Sequence, residues 1–296
     1  MPSKNVVYHI VAFVIVMVWG GTFVNSKVLL LNGMRAEEIF VVRFLLAYLC
    51  ILTISPHRLF ADKVGDELLM VLLGITGGSL YFCAENQAVS LSYATNVSFL
   101  VCTTPLFTTL LGAIFFSKVS FTRYLLVGSL LSITGMGMVI FNGHFVLKLN
   151  PKGDILALIA AISWAIYSIL LPKSIARYGS VFVTRKVFFY GLLTCLPFFV
   201  IAPWSFPLSS FSSPVIWGNL LYLGAIASFL CFFAWNWTIK HIGTIVASNY
   251  VYLNPISTVI VSSLVLNEPM TIIAYVGSSL ILLGVYLANK KIASTV

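Results

Sequence analysis

Apolar residues run along this chain in blocks too long for the strands or helices of a water-soluble core. A helix crossing a bilayer needs roughly 20 mostly apolar residues. That template fits near 6–31, 37–54, 67–90, 95–116, 121–141, 154–172, 183–202, 214–238, 245–266 and 271–289. Polar residues punctuate the blocks at Arg35 to Glu38, Ser55 to Glu67, Lys118 to Arg123 and Asn142 to Asp154, and a Ser- and Pro-rich stretch from Pro203 to Pro214 reads as a loop. Strict alternation of apolar and polar residues is absent, which argues against a transmembrane barrel. The predicted fold is therefore an all-α integral membrane protein of about ten transmembrane helices. The first block is too long for a signal-peptide core and lacks a cleavage pattern, so it is expected to remain as the first span.

Composition agrees with a lipid environment. Hydrophobic residues make up 60% of the chain and charged residues 8%, against roughly 25% charged in a soluble domain. The net charge of +9 comes without a dense basic run, so nucleic acid is not an expected partner. The cations read as loop charges that orient the helices. With the N-terminus inside, the inner side holds Lys4, Arg58, Lys63, Lys118, Arg123, Lys173, Arg177, Lys240, Lys290 and Lys291, and the outer side Arg35, Lys148 and Lys152, with Lys27 nearby. Both termini are thus predicted to be cytoplasmic, and a bacterial cytoplasmic membrane is the expected location. Cys50, Cys83, Cys102, Cys195 and Cys231 sit in apolar stretches without a CxxC pair and read as apolar fillers. His9, His57, His144 and His241 are too scattered for a metal cluster, and no Walker A pattern is present. No cofactor or metal is expected. The formal glycosylation acceptor at Asn96-Val-Ser98 falls at or inside a span and is discounted.

The chain also matches itself. Phe82-Cys-Ala-Glu-Asn86 aligns with Phe232-Phe-Ala-Trp-Asn236, and the same register sets Ser98 on Ser248 and Pro105 on Pro255. After a one-residue gap, Gly128 and Gly135 meet Gly277 and Gly284. Earlier, Trp19 can be set on Trp164, Val41-Val-Arg43 on Val183-Thr-Arg185, and Tyr48 on Tyr190. One transporter domain, 1–296, would then consist of repeats at about 6–145 and 150–290. Each repeat holds five helices, an odd number, so the second must insert upside down relative to the first. Inverted repeats are typical of secondary transporters, in which exchange of two half-conformations turns an inward-open state into an outward-open one.

Several short patterns resemble the EamA family of the drug/metabolite transporter superfamily. They are Trp19-Gly20, Arg43-Phe44, Pro105 and Pro255 in the fourth and ninth spans, and Glu268-Pro269 followed by Gly277 and Gly284. The resemblance covers nearly the whole chain. The first repeat departs from it, with Lys118-Val119 where the second has Glu268-Pro269. The resemblance implies export or uptake of amino acids, metabolites or drug-like amphiphiles.

Polar groups inside the spans supply the candidate site. A charge in the bilayer centre costs at least about 2–3 kcal/mol. Glu85 is the one acid placed well inside a predicted span, roughly 8 Å deep, and Arg43 lies roughly 9 Å deep on the neighbouring segment. They read equally as a structural ion pair or as a titrating site for a proton or a substrate amine. The matching position in the second repeat is Trp235. Tyr81 shares the Glu85 face, continued by Gly78 and Gly74, where close helix packing is the stronger reading. Trp19, Thr22 and Ser26 share one face of the first span, and Trp164 and Tyr167 one face of the sixth. Asn96, Phe99 and Thr103 form a face of the fourth span, with Asn249 and Tyr252 on the ninth. The expected function is a secondary transporter of a small, partly apolar solute, in contact with membrane lipid, with proton coupling through Glu85 or facilitated diffusion both fitting. The alternatives are an intramembrane enzyme acting on a lipid-linked substrate, for which no dense cluster of acids, His or Arg is present, and a membrane sensor or scaffold, which would be expected to carry a signalling domain or long tail.

Overall fold

The computed structural model describes residues 4–55, 59–92, 94–115, 122–141, 150–266 and 271–290. Lys118-Val119, Glu268-Pro269, His57, Arg58, His144, Lys148 and Lys291 lie outside them, and the Asn96 side chain is likewise not described. Among the described residues every regular element is helical. We number the helical runs α1 (Lys4–Leu31), α2 (Ala36–Leu52), α3 (Val64–Leu91), α4 (Ala94–Val101 and Thr104–Phe115), α5 (Arg123–Phe141), α6 (Pro151–Tyr178), α7 (Ser180–Ile201), α8 (Pro214–Ile242), α9 (Thr244–Asn249, Tyr250–Leu253 and Asn254–Leu266) and α10 (Ile272–Asn289).

Seven of these runs are long and apolar enough to cross a membrane: those in α1, α3, α4, α6, α7, α8 and α9. Arg123–Val139 and Tyr275–Asn289 are shorter apolar helices. Helix α2 has 17 residues and carries Glu37 and Glu38 in its first turn. The expectation of about ten spans thus meets seven helices of full spanning length. The chain is an integral membrane protein.

Four helices depart from regular α geometry, and their positions correspond between the two halves of the chain. Helix α3 contains a π turn at Ile75–Ser79 and α8 a longer one at Tyr222–Leu230. Helix α4 breaks at Cys102 and Thr103, just before Thr104-Pro105. Helix α9 tightens to a 3-10 turn at Tyr250–Leu253, just before Asn254-Pro255. Proline removes a backbone donor and is tolerated in the first turn of a helix, where that donor has no helical acceptor, so a regular helical segment restarts at each proline.

The helices interlock across the halves. Helix α1 packs on α8 and α9, α6 on α3 and α4, α2 on α7 and α8, and α3 on α7. The most extensive contact joins α5 to α10. It depends on four glycines: a Cβ on Gly128 or Gly284 would meet the other's carbonyl, and Gly135 and Gly277 are related in the same way. Such close approach maximises dispersion contact, the main attraction available between helices in lipid. Gly74 and Gly78 likewise face α7, against Tyr190 and Gly191. Gly20 admits α9, whose Thr258 hydroxyl donates to the Gly20 carbonyl at 2.8 Å.

Ion pairs and caps tie the ends of the bundle. Glu67 at the start of α3 accepts from Lys186 and Tyr190 of α7, and Asp66 pairs with Arg177 at the end of α6 at 2.6 Å. At the opposite end, the buried Glu38 carboxylate accepts from the backbone N–H groups of Arg35, Ser205 and Phe206 at 2.9, 2.6 and 3.0 Å. These bonds strap the loop after α7 onto α2. That loop includes a 3-10 turn at Leu208–Ser212.

Two helix-to-helix corners are single glycines. Gly179 and Gly243 both have φ of 80°, with ψ of 158° and 159°. Only glycine occupies that region without strain. A Cβ on Gly243 would meet nothing within 4 Å, so its replacement isolates the backbone cost. Gly243→Ala should destabilise the protein by about 1–3 kcal/mol, measured by thermal unfolding in detergent beside Gly218→Ala, which also has open space around it. Equal melting temperatures for the two variants would refute the strain assignment.

Candidate functional site

A central cavity opens where α1, α2, α3, α4, α6, α8 and α9 converge. Its wall is made of Trp19, Thr22 and Phe23 of α1, Arg43 of α2, Tyr81, Phe82 and Glu85 of α3, Val101 and Thr104 of α4, Trp164 of α6, Phe232 of α8, and Val251 and Asn254 of α9. Its volume is about 30 Å³. One water needs roughly 10–15 Å³ by the same measure, so this conformation encloses room for a water or two and no solute.

The π turns anchor residues of the wall without lining it themselves. In a π turn the helical hydrogen bonds shift register, and carbonyls become available to side chains. The Ala227 carbonyl, in the α8 turn, accepts from Trp19 Nε1 at 2.9 Å, and the Ser228 hydroxyl accepts from Arg43 Nε at 3.0 Å. In the α3 turn the Thr76 carbonyl accepts from the Ser163 hydroxyl of α6 at 2.8 Å. Each turn is thus secured by a side chain from the other half of the chain.

Aromatic rings fill most of the remaining space. Trp19 and Trp164 meet edge to face, their centroids 5.4 Å apart at 88°. Tyr81 and Phe232 lie 4.9 and 5.3 Å from Trp164. Trp235 packs behind Trp19 at 5.0 Å and Tyr167 behind Trp164 at 5.0 Å, so both form a second layer. Tyr167 donates to Asn236 Oδ1 at 2.9 Å, and Asn236 in turn donates to Thr184.

Arg43 and Glu85 share the cavity without joining. No ion pair within 4.0 Å links them among the described residues. The Arg43 guanidinium lies over the Phe82 ring at 4.1 Å. A desolvated cation–π contact of this kind contributes about 2 kcal/mol. Glu85 is 5% exposed, and its Oε2 has no hydrogen-bond partner. Asn254 Oδ1, on the opposite wall, is also buried without a partner.

The structure therefore brings together Trp19, Arg43, Tyr81, Glu85 and Trp164 of the residues expected from sequence, with Tyr167 and Trp235 directly behind them. It separates others. Asn249 donates to Asn289 of α10 at 2.8 Å, and Tyr252 is buried away from the wall. Phe99 packs against the main apolar core. Phe82, Phe232, Val101, Val251, Thr104 and Asn254 are additional wall residues. A signal for them was present: Phe82 and Phe232 align in the repeat register, as do Val101 and Val251, and Thr104 and Asn254 each precede a repeat-related proline. Eight of the wall's residues thus form four matched pairs, counting Trp19 with Trp164. The two charged groups have no counterpart in the wall and come only from the first half.

Comparison with known proteins agrees with this architecture. The EamA-like transporter family model matches the chain twice, over residues 7–141 and 151–290. The chain belongs to the EamA-like transporter family, a family of membrane transporters. An uncharacterized transporter of Archaeoglobus fulgidus is 27% identical over 298 residues, covering 98% of this chain and 99% of that protein. The uncharacterized inner membrane transporter YedA of Escherichia coli K12 is 25% identical over 288 residues, covering 94% and 89%. A protein of known crystal structure superposes with a TM-score of 0.73 at 14% identity, over 100% of this chain and 99% of that one, and so shares the fold.

Because Glu85 lacks an ion-pair partner, its charge is not needed to hold the bundle. Glu85→Gln should leave the yield of folded protein and the melting temperature close to those of the parent, measured by size-exclusion chromatography and thermal unfolding. Arg43→Gln should lower both, since it removes the bond to Ser228 and the contact with Phe82. The reverse order of effects would place the Glu85 charge in the scaffold.

Proposed function

We propose that this protein is a secondary transporter of alternating-access type, built from two inverted five-helix repeats around the central cavity, and that its substrate is a small zwitterionic solute with an apolar side group, as in an amino acid. The observation that carries the reading is the composition of the wall: matched residue pairs from both halves, with one cation and one anion that do not neutralise each other. Arg43 is suited to a carboxylate and Glu85 to an ammonium group, while Trp19, Tyr81, Trp164 and Phe232 offer an apolar surface.

The contact pattern supports the inverted repeat. Exchanging α1–α5 with α6–α10 turns the α1–α9 contact into α6–α4, α1–α8 into α6–α3 and α2–α8 into α7–α3, and all of these contacts occur. The double match of the family model supports the same division. A closed cavity too small for a solute fits an intermediate between the two open states, since binding energy is used only where the halves can rearrange.

Transport is tested by screening a solute library in proteoliposomes, with and without a pH gradient. Zwitterionic solutes with apolar side groups should be accumulated, and a proton gradient should drive them through Glu85. Glu85→Gln should reduce gradient-driven accumulation to the passive level. Wild-type accumulation by this folded variant would exclude the coupling role, and uptake confined to solutes lacking one of the two charges would exclude the substrate class.

Both termini are proposed to face the cytoplasm of a bacterial inner membrane, from the distribution of Lys and Arg. Cysteines introduced at Ser3 and Ser294 should label only after the cells are permeabilised. Labelling of both in intact cells would invert the topology.

A further inference from the structure

A second, larger cavity lies on the outer surface of the bundle, between the start of α1, the end of α10 and the 3-10 turn of α9. It encloses about 510 Å³, within the roughly 300–1,000 Å³ usual for ligand sites. Its chemistry is divided along its length. The polar members, His9, Asn289 and Lys290, sit near the two helix ends, where both helices leave the membrane on one side. The apolar members lie one to two turns deeper: Phe13 on α1, and Leu282 and Tyr286 on α10, all exposed. Among the described residues none that lines it is an acid.

We propose that this groove binds one anionic phospholipid, with the headgroup phosphate at Lys290 and His9 and an acyl chain along Phe13 and Leu282. Bulk lipid tails are as apolar as the groove, so the apolar wall gives no preference over any other lipid-facing surface. The charged rim gives the preference, and it selects a negative headgroup. Lys290 is exposed, and its ammonium lies over the Tyr124 ring at 5.9 Å, beside the exposed Arg123 at the start of α5. Lys290 is thus the cation of the groove's rim, and its ammonium reaches toward the start of α5.

The site matters because of what lies behind it. Tyr250 and Leu253 of the 3-10 turn line the groove, while Val251 of the same turn lines the central cavity. Only four residues of backbone, Tyr250–Leu253, separate the two. His9 secures the turn from the groove side, its Nδ1 lying 2.8 Å from Tyr250 Oη. A lipid seated there braces the turn that forms one wall of the central cavity. The assignment stands independently of the transported substrate.

The full-length protein, delipidated in detergent, provides the test. Dioleoyl phosphatidylglycerol, dioleoyl phosphatidylcholine and inorganic phosphate are added separately. Native mass spectrometry counts retained lipid, and hydrogen exchange follows residues 250–253. Phosphatidylglycerol should be retained as a single tight adduct and slow exchange at the turn; phosphatidylcholine and phosphate should do neither. Lys290→Gln should weaken retention about fivefold, the effect of one cation at a membrane surface. Leu282→Trp should remove the adduct by filling the slot, whereas Leu130→Trp, on the exposed surface of α5, should keep it. Equal retention of phosphatidylcholine would overturn the headgroup assignment. Equal slowing by phosphate would reassign the site to a free anion. Unchanged retention in both Lys290→Gln and Leu282→Trp would place the lipid elsewhere.

Discussion

In hydrocarbon no backbone carbonyl or amide can turn to water, so every interruption of a helix must be satisfied by another part of the protein. The rest of this structure depends on how that requirement is met. The two π turns expose carbonyls at Thr76 and Ala227, and each receives a donor from a helix of the other half. The bond to Ala227 comes from Trp19, the residue that sets the central aromatic cluster. Ser228, one position further on, positions Arg43. The irregular backbone therefore binds the halves together and fixes Trp19 and Arg43 in the cavity wall. A regular helix would use these carbonyls itself, leaving Ser163 without its partner at the α3 turn and Trp19 without its partner at the α8 turn.

Symmetry and charge are distributed differently. Apolar wall residues recur in the repeat register, Phe82 with Phe232 and Val101 with Val251. The charged groups do not. Where the first half has Glu85, the second has Trp235, packed on Trp19. Where the first half places Arg43 in the cavity, the second has Arg185 over the Phe182 ring at 5.2 Å. Duplicating the charges would put two like pairs into a space of about 30 Å³, at a desolvation cost that lipid does not relieve. One basic and one acidic side chain give the cavity its polarity.

Much of this was legible in the sequence, for physical reasons. A charge within twenty apolar residues is conspicuous, which is how Glu85 and Arg43 were found, and the repeat register brought Trp19 and Trp164 together. Asn249 and Tyr252 were assigned to the cavity because the ninth span reads as one regular helix. The 3-10 turn at Tyr250–Leu253 has fewer residues per turn than an α-helix. It changes the angle between successive residues, so that Val251 and Asn254 face the cavity while Asn249, just before the turn, faces α10. Lys186 was absorbed into an apolar stretch; it is 4% exposed and paired with Glu67, a partner 119 residues away that periodicity cannot supply. Glu38 was read as punctuation between helices, whereas its burial under the Ser205 loop makes it a structural cap.

The small size of the central cavity has a consequence for the cell. Protons move through proteins along files of hydrogen-bonded water, and a file needs continuous space. Here the two tryptophans, edge against face, close the path to room for a water or two. If the protein cycles as proposed, passing through this shape would leave the membrane electrically tight, so that many copies could reside in an energised bilayer without short-circuiting it.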